Sequence, residues 1–311
     1  MVSELAVIYN PEKIALSRLE KAFAKHPGAT PTFLATDSSS NGAGQDRQAL
    51  ALGLSTILVA GGDGTLRNVV QGTAGEEVAI GILPLGTGNI LARNLKIPIG
   101  NLDAAVKKAL KGHAYEIDLG VAKAVFADGS LREFIFTGIA GVGMDAKLME
   151  NTQPKLKRRV GWIAYIEGGI RSLPLKFERF DVQIDNQVRT LKSYSLLVGN
   201  VGWLPGLISM MPDAQMDDGK LDIAAIGPRK IWNWVDFFSR ITWQNLVVRP
   251  LALGRRWMDE KANVKTLENL SSPRIRIKPH NPAAMQLDGD PVGEVIEVDF
   301  SLKNKALKVL I

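Results

Sequence analysis

The apolar run Ser55-Thr56-Ile57-Leu58-Val59-Ala60 ends at Gly61-Gly62-Asp63-Gly64-Thr65, and a helix-like segment, Leu66-Arg67-Asn68-Val69-Val70, follows at once. Strand, glycine turn and helix in that order demand a parallel α/β unit and place a helix N-terminus at a strand end. Such an end offers free N–H groups and a partial positive charge to an anion, and glycine lets the backbone come close to it. Asp63 stands out, because a carboxylate repels a phosphate unless a cation lies between them. The motif therefore points to a metal–nucleotide complex. The other reading is a tight turn with an aspartate at the helix start.

The surrounding pattern extends this unit. Strand-like Leu5–Tyr9, Thr32–Thr36, Thr56–Ala60 and Val78–Leu83 alternate with helical stretches at about Ile14–Lys25, Gln45–Leu52 and Asp103–Leu110. This alternation predicts a parallel sheet covered on both faces, with ligands at the carboxyl ends of the strands. Asn10, Thr36, the Gly61 loop and a second loop, Leu83-Pro84-Leu85-Gly86-Thr87-Gly88-Asn89, all fall at such ends. The second loop precedes a short helix over Ile90–Asn94.

Beyond Tyr115–Gly120 the chain changes character. Strand-like runs dominate at Val121–Phe126, Glu133–Ile139, Phe180–Asp185, Lys192–Gly199, Lys220–Ala225, Arg274–Lys278, Met285–Leu287 and Val295–Phe300. Helical stretches interrupt them around 160–172 and 231–246. The expected division is an α/β nucleotide-binding domain over 1–117 and a β-rich domain over 118–311, whose last strand or helix is free to return to the first domain.

Composition narrows the chemistry. None of the 311 residues is cysteine and only three are histidine, which excludes disulfides and thiol catalysis and disfavours a zinc cluster. The chain is 46% hydrophobic, enough for a substantial core. The net charge of +6 suits an anionic partner and equally suits a mildly basic soluble protein. The start carries no secretory pattern and no apolar run reaches membrane-spanning length, so the expectation is a cytoplasmic protein. The basic residues accompany no recognisable reader of nucleic acid.

These motifs resemble the diacylglycerol kinase catalytic-domain family, in particular its soluble bacterial lipid kinases and sphingosine-kinase-like relatives. The two glycine loops are joined in the match by Ile117-Asp118-Leu119-Gly120, Gly141-Val142-Gly143-Met144-Asp145-Ala146 and Val198-Gly199-Asn200. The later pieces are Pro212–Asp222, which includes Asp217-Asp218-Gly219-Lys220-Leu221-Asp222, and Gln286-Leu287-Asp288-Gly289-Asp290-Pro291. The first loop alone is shared with NAD kinases and phosphofructokinases.

The resemblance implies a phosphofructokinase-like and NAD-kinase-like first domain, a β-sandwich second domain and ATP in the cleft between them. It implies that Asn10, Thr36, Gly61, Gly62, Asp63, Gly64, Thr65, Gly86, Thr87, Gly88 and Asn89 form the nucleotide site. Asp63 and Asp118 would hold a Mg²⁺–water network, and Asp288 would be the general base that takes the lipid hydroxyl proton. Asp288 reads otherwise as a turn aspartate. A second Mg²⁺ would sit on Asp218 with the carbonyls of Gln215 and Lys220, a segment that also reads as a hairpin turn with solvated acids. Asp145 reads as a helix cap.

This sequence departs from the family pattern in three places. Ile90 stands where many members have an acid, Asn68 where many have glutamate, and Asn10-Pro11-Glu12-Lys13 replaces the usual Asn-Pro-x-Ser-Gly. Asp290 is the candidate to substitute for the missing acid. An NAD kinase is the rival enzyme, although no Asn-Glu pair follows the second loop. A degenerate nucleotide or lipid sensor is the rival of another class.

Four of the six tryptophans, Trp232, Trp234, Trp243 and Trp257, fall in one stretch together with Arg229, Lys230, Arg240, Arg249, Arg255 and Arg256. Lys155, Lys157, Arg158 and Arg159 form a second basic cluster. Aromatic and basic residues together suit a transient peripheral association with an acidic membrane surface, and simple core packing is the alternative for the aromatics. A lipid substrate follows from the resemblance, and a homodimer is compatible with it.

Overall fold

The computed structural model describes residues 4–37, 44–143, 177–185, 187–204, 208–209, 211–226 and 270–311. Asp145, the basic cluster at 155–159, the two expected helical stretches and the tryptophan-rich stretch lie outside the described residues.

The first part is a parallel sheet in the order β4-β3-β1-β2, from β1 (Glu4–Tyr9), β2 (Thr30–Ala35), β3 (Thr56–Gly61) and β4 (Ala79–Pro84). Every residue of β3 is buried, as are five of the six in β1, as expected of parallel strands covered on both faces. On one face α1 (Leu16–Phe23) and α5 (Leu102–Lys111) pack Leu19, Phe23, Ala105 and Val106 against Leu5, Val7 and Leu58. On the other, α2 (Gln45–Ala51) and α3 (Asp63–Gly72) pack Ala49, Leu66 and Val69 against Ala6, Ile8, Ile57 and Val59. Between β4 and α5 lies the short α4 (Ile90–Asn94).

The second part is β-rich. Strand β5 (Ala114–Phe126) pairs with β6 (Leu131–Phe136) and with the long last strand, β17 (Asp290–Leu310). Along one layer run β7 (Ile139–Val142), β10 (Ser195–Gly199), β13 (Leu221–Ile226), β14 (Leu270–Ser272) and β16 (Ala283–Leu287). In the other, β8 (Glu178–Ile184), β9 (Gln187–Ser193) and β15 (Arg274–Pro279) join β17 and β5. Phe136, Phe180, Leu196, Val198, Ile275 and Phe300 fill the core between the layers. The short pair β11 (Trp203–Leu204) and β12 (Ile208–Ser209) stands apart.

Two runs that read as single strands are broken, each for a visible reason. Glu133–Ile139 stops at Thr137-Gly138 because the amides of Thr137, Gly138 and Ile139 all turn toward the Asp288 carboxylate. Three successive N–H groups on one acceptor cannot alternate as a strand requires. Lys192–Gly199 breaks at Tyr194, where the chain leaves β8 and crosses to β7 and β13.

Strand β17 serves both parts. It pairs with β15, β16 and β5, and its end lies parallel to β4 through Lys308–Ala79 and Val309–Ile80. The C-terminal residues thus complete the first sheet.

Candidate active site

The two glycine loops leave neighbouring strands, β3 and β4, and touch. A Cβ on Gly86 would stand 2.7 Å from the Gly62 Cα and 2.9 Å from Asn89 Oδ1. Asn89 is buried in the left-handed conformation, and its side chain accepts from the Gly86 amide at 2.9 Å and donates to the Gly86 carbonyl at 2.7 Å. It therefore closes the second loop on itself. Thr87 is exposed at the tip.

Asp63 opens α3, yet its carboxylate serves the other loop. Its two oxygens accept from the Asn89 amide at 2.7 Å and the Ile90 amide at 2.6 Å, which locks the two loops together. Gly88 is needed there, since a Cβ would meet Asp63 Oδ2 at 2.7 Å. The N-terminus of α3 itself has no side-chain cap. Asn10 and Thr36 complete the rim at the ends of β1 and β2; the Asn10 side chain accepts from the Glu12 amide, and Thr36 is buried.

Asp288 comes from the turn between β16 and β17. It is buried and in the left-handed region, φ 50°. Its carboxylate accepts from the amides of Thr137 (2.8 Å), Gly138 (2.8 Å) and Ile139 (3.0 Å) and from Thr137 Oγ1 (3.1 Å). Burial pushes its pKa up, while these donors and the Arg67 guanidinium pull it back. Asp63 is pushed up to about 7, chiefly by burial and then by the charge of Asp288, with a smaller push from Asp290. The three carboxylates thus share one electrostatic neighbourhood. The Ile90 side chain lies against Gly138 and Gly88, the glycines beside Asp288 and Asp63.

Asp290 rests on the first loop. A Cβ at Gly64 would stand 2.4 Å from its carboxylate. Arg67, one turn into α3, reaches the Asp290 carboxylate at 3.3 Å and the Leu287 carbonyl at 2.6 Å. Residues distant in sequence, Asp63, Asp288 and Asp290, are brought together by this contact.

Asp118 is engaged elsewhere. It is buried in β5, and its two oxygens accept from the amides of Gly219 (2.8 Å) and Lys305 (2.7 Å). Its hydrogen bonds run to the 215–220 segment and the β17 bulge, and none to the glycine loops. Asn200 bridges the two regions, donating from its side chain to the Asp118 carbonyl at 2.8 Å and from its amide to the Gly138 carbonyl at 3.3 Å. Asp218 accepts from the Lys220 amide at 3.0 Å in a local turn. Asp222 beside it is pushed up to about 6 by burial, then by Asp218 and Asp213. Among the described residues, no three His, Cys, Asp or Glu side chains are gathered to hold a metal ion.

Sequence reasoning missed Arg67, Thr137 and Gly138. Arg67 followed the glycine loop in plain view, but its acceptors lie some 220 residues on and only folding supplies them.

An α/β sheet carrying two interlocked glycine loops, faced by a β-sandwich that presents a buried aspartate, defines the NAD-kinase-like two-domain architecture. The first part, residues 4–122, matches the diacylglycerol kinase catalytic domain. Residues 138–252 match the YegS C-terminal NAD kinase beta sandwich-like domain. The chain is 31% identical to a diacylglycerol kinase of Staphylococcus carnosus over 68% of its own length and 69% of the relative's. It is 26% identical to a diacylglycerol kinase of Bacillus subtilis over 91% and 88% of the two lengths. The chain belongs to the diacylglycerol kinase family.

Solved structures agree in fold. A diacylglycerol kinase from Bacillus anthracis superimposes with a TM-score of 0.70 at 22% identity, covering 99% of this chain and 96% of that one. An NAD kinase from Archaeoglobus fulgidus, solved in complex with ATP, gives 0.53 at 11% identity over 99% and 93%. At these identities the likeness concerns the fold alone. Among the described residues no helix is long and apolar enough to cross a membrane.

Proposed function

We propose that this protein is an ATP-dependent lipid kinase that phosphorylates a hydroxyl of an amphiphile such as diacylglycerol. The carrying observation is the buried Asp288 carboxylate held beside Asp63 and the uncapped start of α3. Phosphoryl transfer needs a seat for the phosphates, charge neutralisation, and a base for the acceptor hydroxyl. The loops Gly61–Thr65 and Gly86–Asn89, with Asn10 and Thr36 on the rim, are the seat. A carboxylate whose pKa is raised by burial is a stronger base than a solvated one, which fits Asp288 for the proton.

Mg²⁺ would find two protein carboxylates here, Asp63 and Asp290, with phosphate oxygens and water in its other positions, as this ion usually takes. The charges of Asp288 and Asp290 help to raise the Asp63 pKa, and a cation relieves that crowding. Asp63 and Asp290 would hold it, and when bound it neutralises phosphate charge. A second Mg²⁺ on Asp218 with the carbonyls of Gln215 and Lys220 belongs to the same proposal, in the turn that Asp218 closes on the Lys220 amide. In this reading Asp118 acts by fixing that segment to β17. The basic and tryptophan-rich stretches at 155–159 and 232–257 extend the proposal to a transient, salt-sensitive visit to acidic membranes from the cytoplasm.

The test is Mg²⁺-dependent transfer of labelled γ-phosphate into an organic-extractable product from a lipid panel. NAD phosphorylation gives a water-soluble product and a sensor gives none, so either result overturns the reading. Asp288→Asn is expected to lower turnover roughly 10²–10⁴-fold, the usual range for a lost general base, with nucleotide binding retained. Near-normal turnover in that variant removes Asp288 from the role.

A further inference from the structure

The turn that carries Asp288 is clipped to the first glycine loop at two flanking points. One is the carbonyl of Leu287, the residue before it, which takes the Arg67 Nη1 at 2.6 Å. The other is the carboxylate of Asp290, two residues after it, which takes Nη2 at 3.3 Å and lies against the Gly64 Cα. Arg67 stands four residues after Asp63 on the same helix, so one turn of α3 joins the phosphate seat to the clip. Its side chain is only 13% exposed, whereas that of Asp290 is 42% exposed. A surface ion pair contributes little, but a largely buried guanidinium with a carbonyl on one arm and a carboxylate on the other is a planar fork with fixed geometry.

We infer that Arg67 is a positioning residue: it holds the Asp288 turn in register with the Gly61–Thr65 loop, setting the base opposite the phosphates. The inference rests on the lipid-kinase reading for its catalytic meaning and on the contacts alone for its structural one. Lysine cannot replace the fork, because its donors all sit on one nitrogen and lack the two separated nitrogens of the rigid guanidinium plane.

The test compares Arg67→Met, which keeps the aliphatic stem, with Arg67→Lys, which keeps the charge. For Arg67→Met the expected result is a kcat lowered about 10–100-fold, the range for a support behind a reacting group. The KM for ATP stays near wild type. Arg67→Lys, which keeps the charge without the fork, recovers only part of the rate. A wild-type kcat in Arg67→Met overturns the inference, as does a loss that merely tracks melting temperature in both variants. A readout independent of catalysis separates this from the lipid-kinase reading. Arg67→Met should speed amide hydrogen exchange at Asp288 and Gly289, whose N–H groups are both hydrogen-bonded, more than at β1. If their exchange does not change, Arg67 does not position the turn, even where the wild type phosphorylates lipid. If it quickens in a protein that phosphorylates none, the positioning stands and only the kinase reading falls.

Discussion

Asp63 and Asp288 are two carboxylates held by different means. Asp288 is wrapped by four donors and walled off from water, and Asp63 spends both oxygens on the amides of the opposite loop. Burial and the neighbouring charge lift Asp63 from 3.8 to about 7. The sign follows from linkage: between those values the folded protein keeps a proton that the unfolded chain has released. The stability this gives is complete below the unfolded value and is lost as pH rises through about 7. Asp63→Asn removes the titration at the constant cost of one amide acceptor. The melting temperature of the variant relative to wild type should therefore improve from about pH 5 to about pH 8. MgATP should raise the wild-type value more at the upper pH, where the carboxylates repel. A pH-independent difference between the two proteins counts against a crowded Asp63. The sequence raised the expectation that an acid in a glycine loop meets a cation. It could not reveal that Asp63 also pins the second loop, because its amide partners at Asn89 and Ile90 are matched only by tertiary contact.

At the level of elements, the loop glycines fall into two groups by what a side chain there would meet. In the sequence all of them read as clearance for an anion. In the fold Gly61 meets Thr65, Gly64 meets Asp290, Gly86 meets Gly62 and Gly88 meets Asp63, each closer than a Cβ tolerates. Gly62 differs: a Cβ there would make only an ordinary 3.4 Å contact with the Gly86 Cα, and its φ of −97° suits any residue. The two therefore separate packing from ligand. Gly86→Ala should destabilise by about 1–3 kcal/mol, the cost of forcing an extra methyl into packed backbone. Gly62→Ala should unfold near the wild-type midpoint yet, on the proposed function, bind nucleotide poorly, because its methyl would crowd the proposed phosphate seat. Denaturant melts and equilibrium binding of a fluorescent ATP analogue measure both. Normal binding by a stable Gly62→Ala protein moves the phosphates away from this loop. The strand–turn–helix order was legible for the same reason that this contrast exists: glycine and apolar runs are local signals. The breaks at Thr137 and Tyr194 were not, since a distant carboxylate causes one and a change of sheet layer the other.

On the scale of the molecule, the two parts are less separable than their composition suggests. One core cluster runs from Ile8 and Val59 in the first sheet and Val69 on α3 through Ile90 and Leu91 to Ile135, Ile139, Leu197 and Val201 in the β-rich part. Strands β5 and β17 extend through both. From sequence, only Val295–Phe300 of β17 was visible, because exposed Lys303, Asn304 and Lys305 interrupt the apolar alternation. The same bulge is where Lys305 donates to Asp118. Leu307, just beyond it, is buried in the shared cluster. Leu307→Ala should cost about 2–5 kcal/mol, as for other large-to-small changes in a core. Because the cluster is continuous, that loss should appear in one transition, and protected amides of β1 and β10 should weaken together in hydrogen exchange. Loss confined to β1 would mean that the two parts unfold independently. The Asp288 turn would then be carried by a body able to part from the glycine loops, and Arg67 would be a latch between separate units instead of a clip within one.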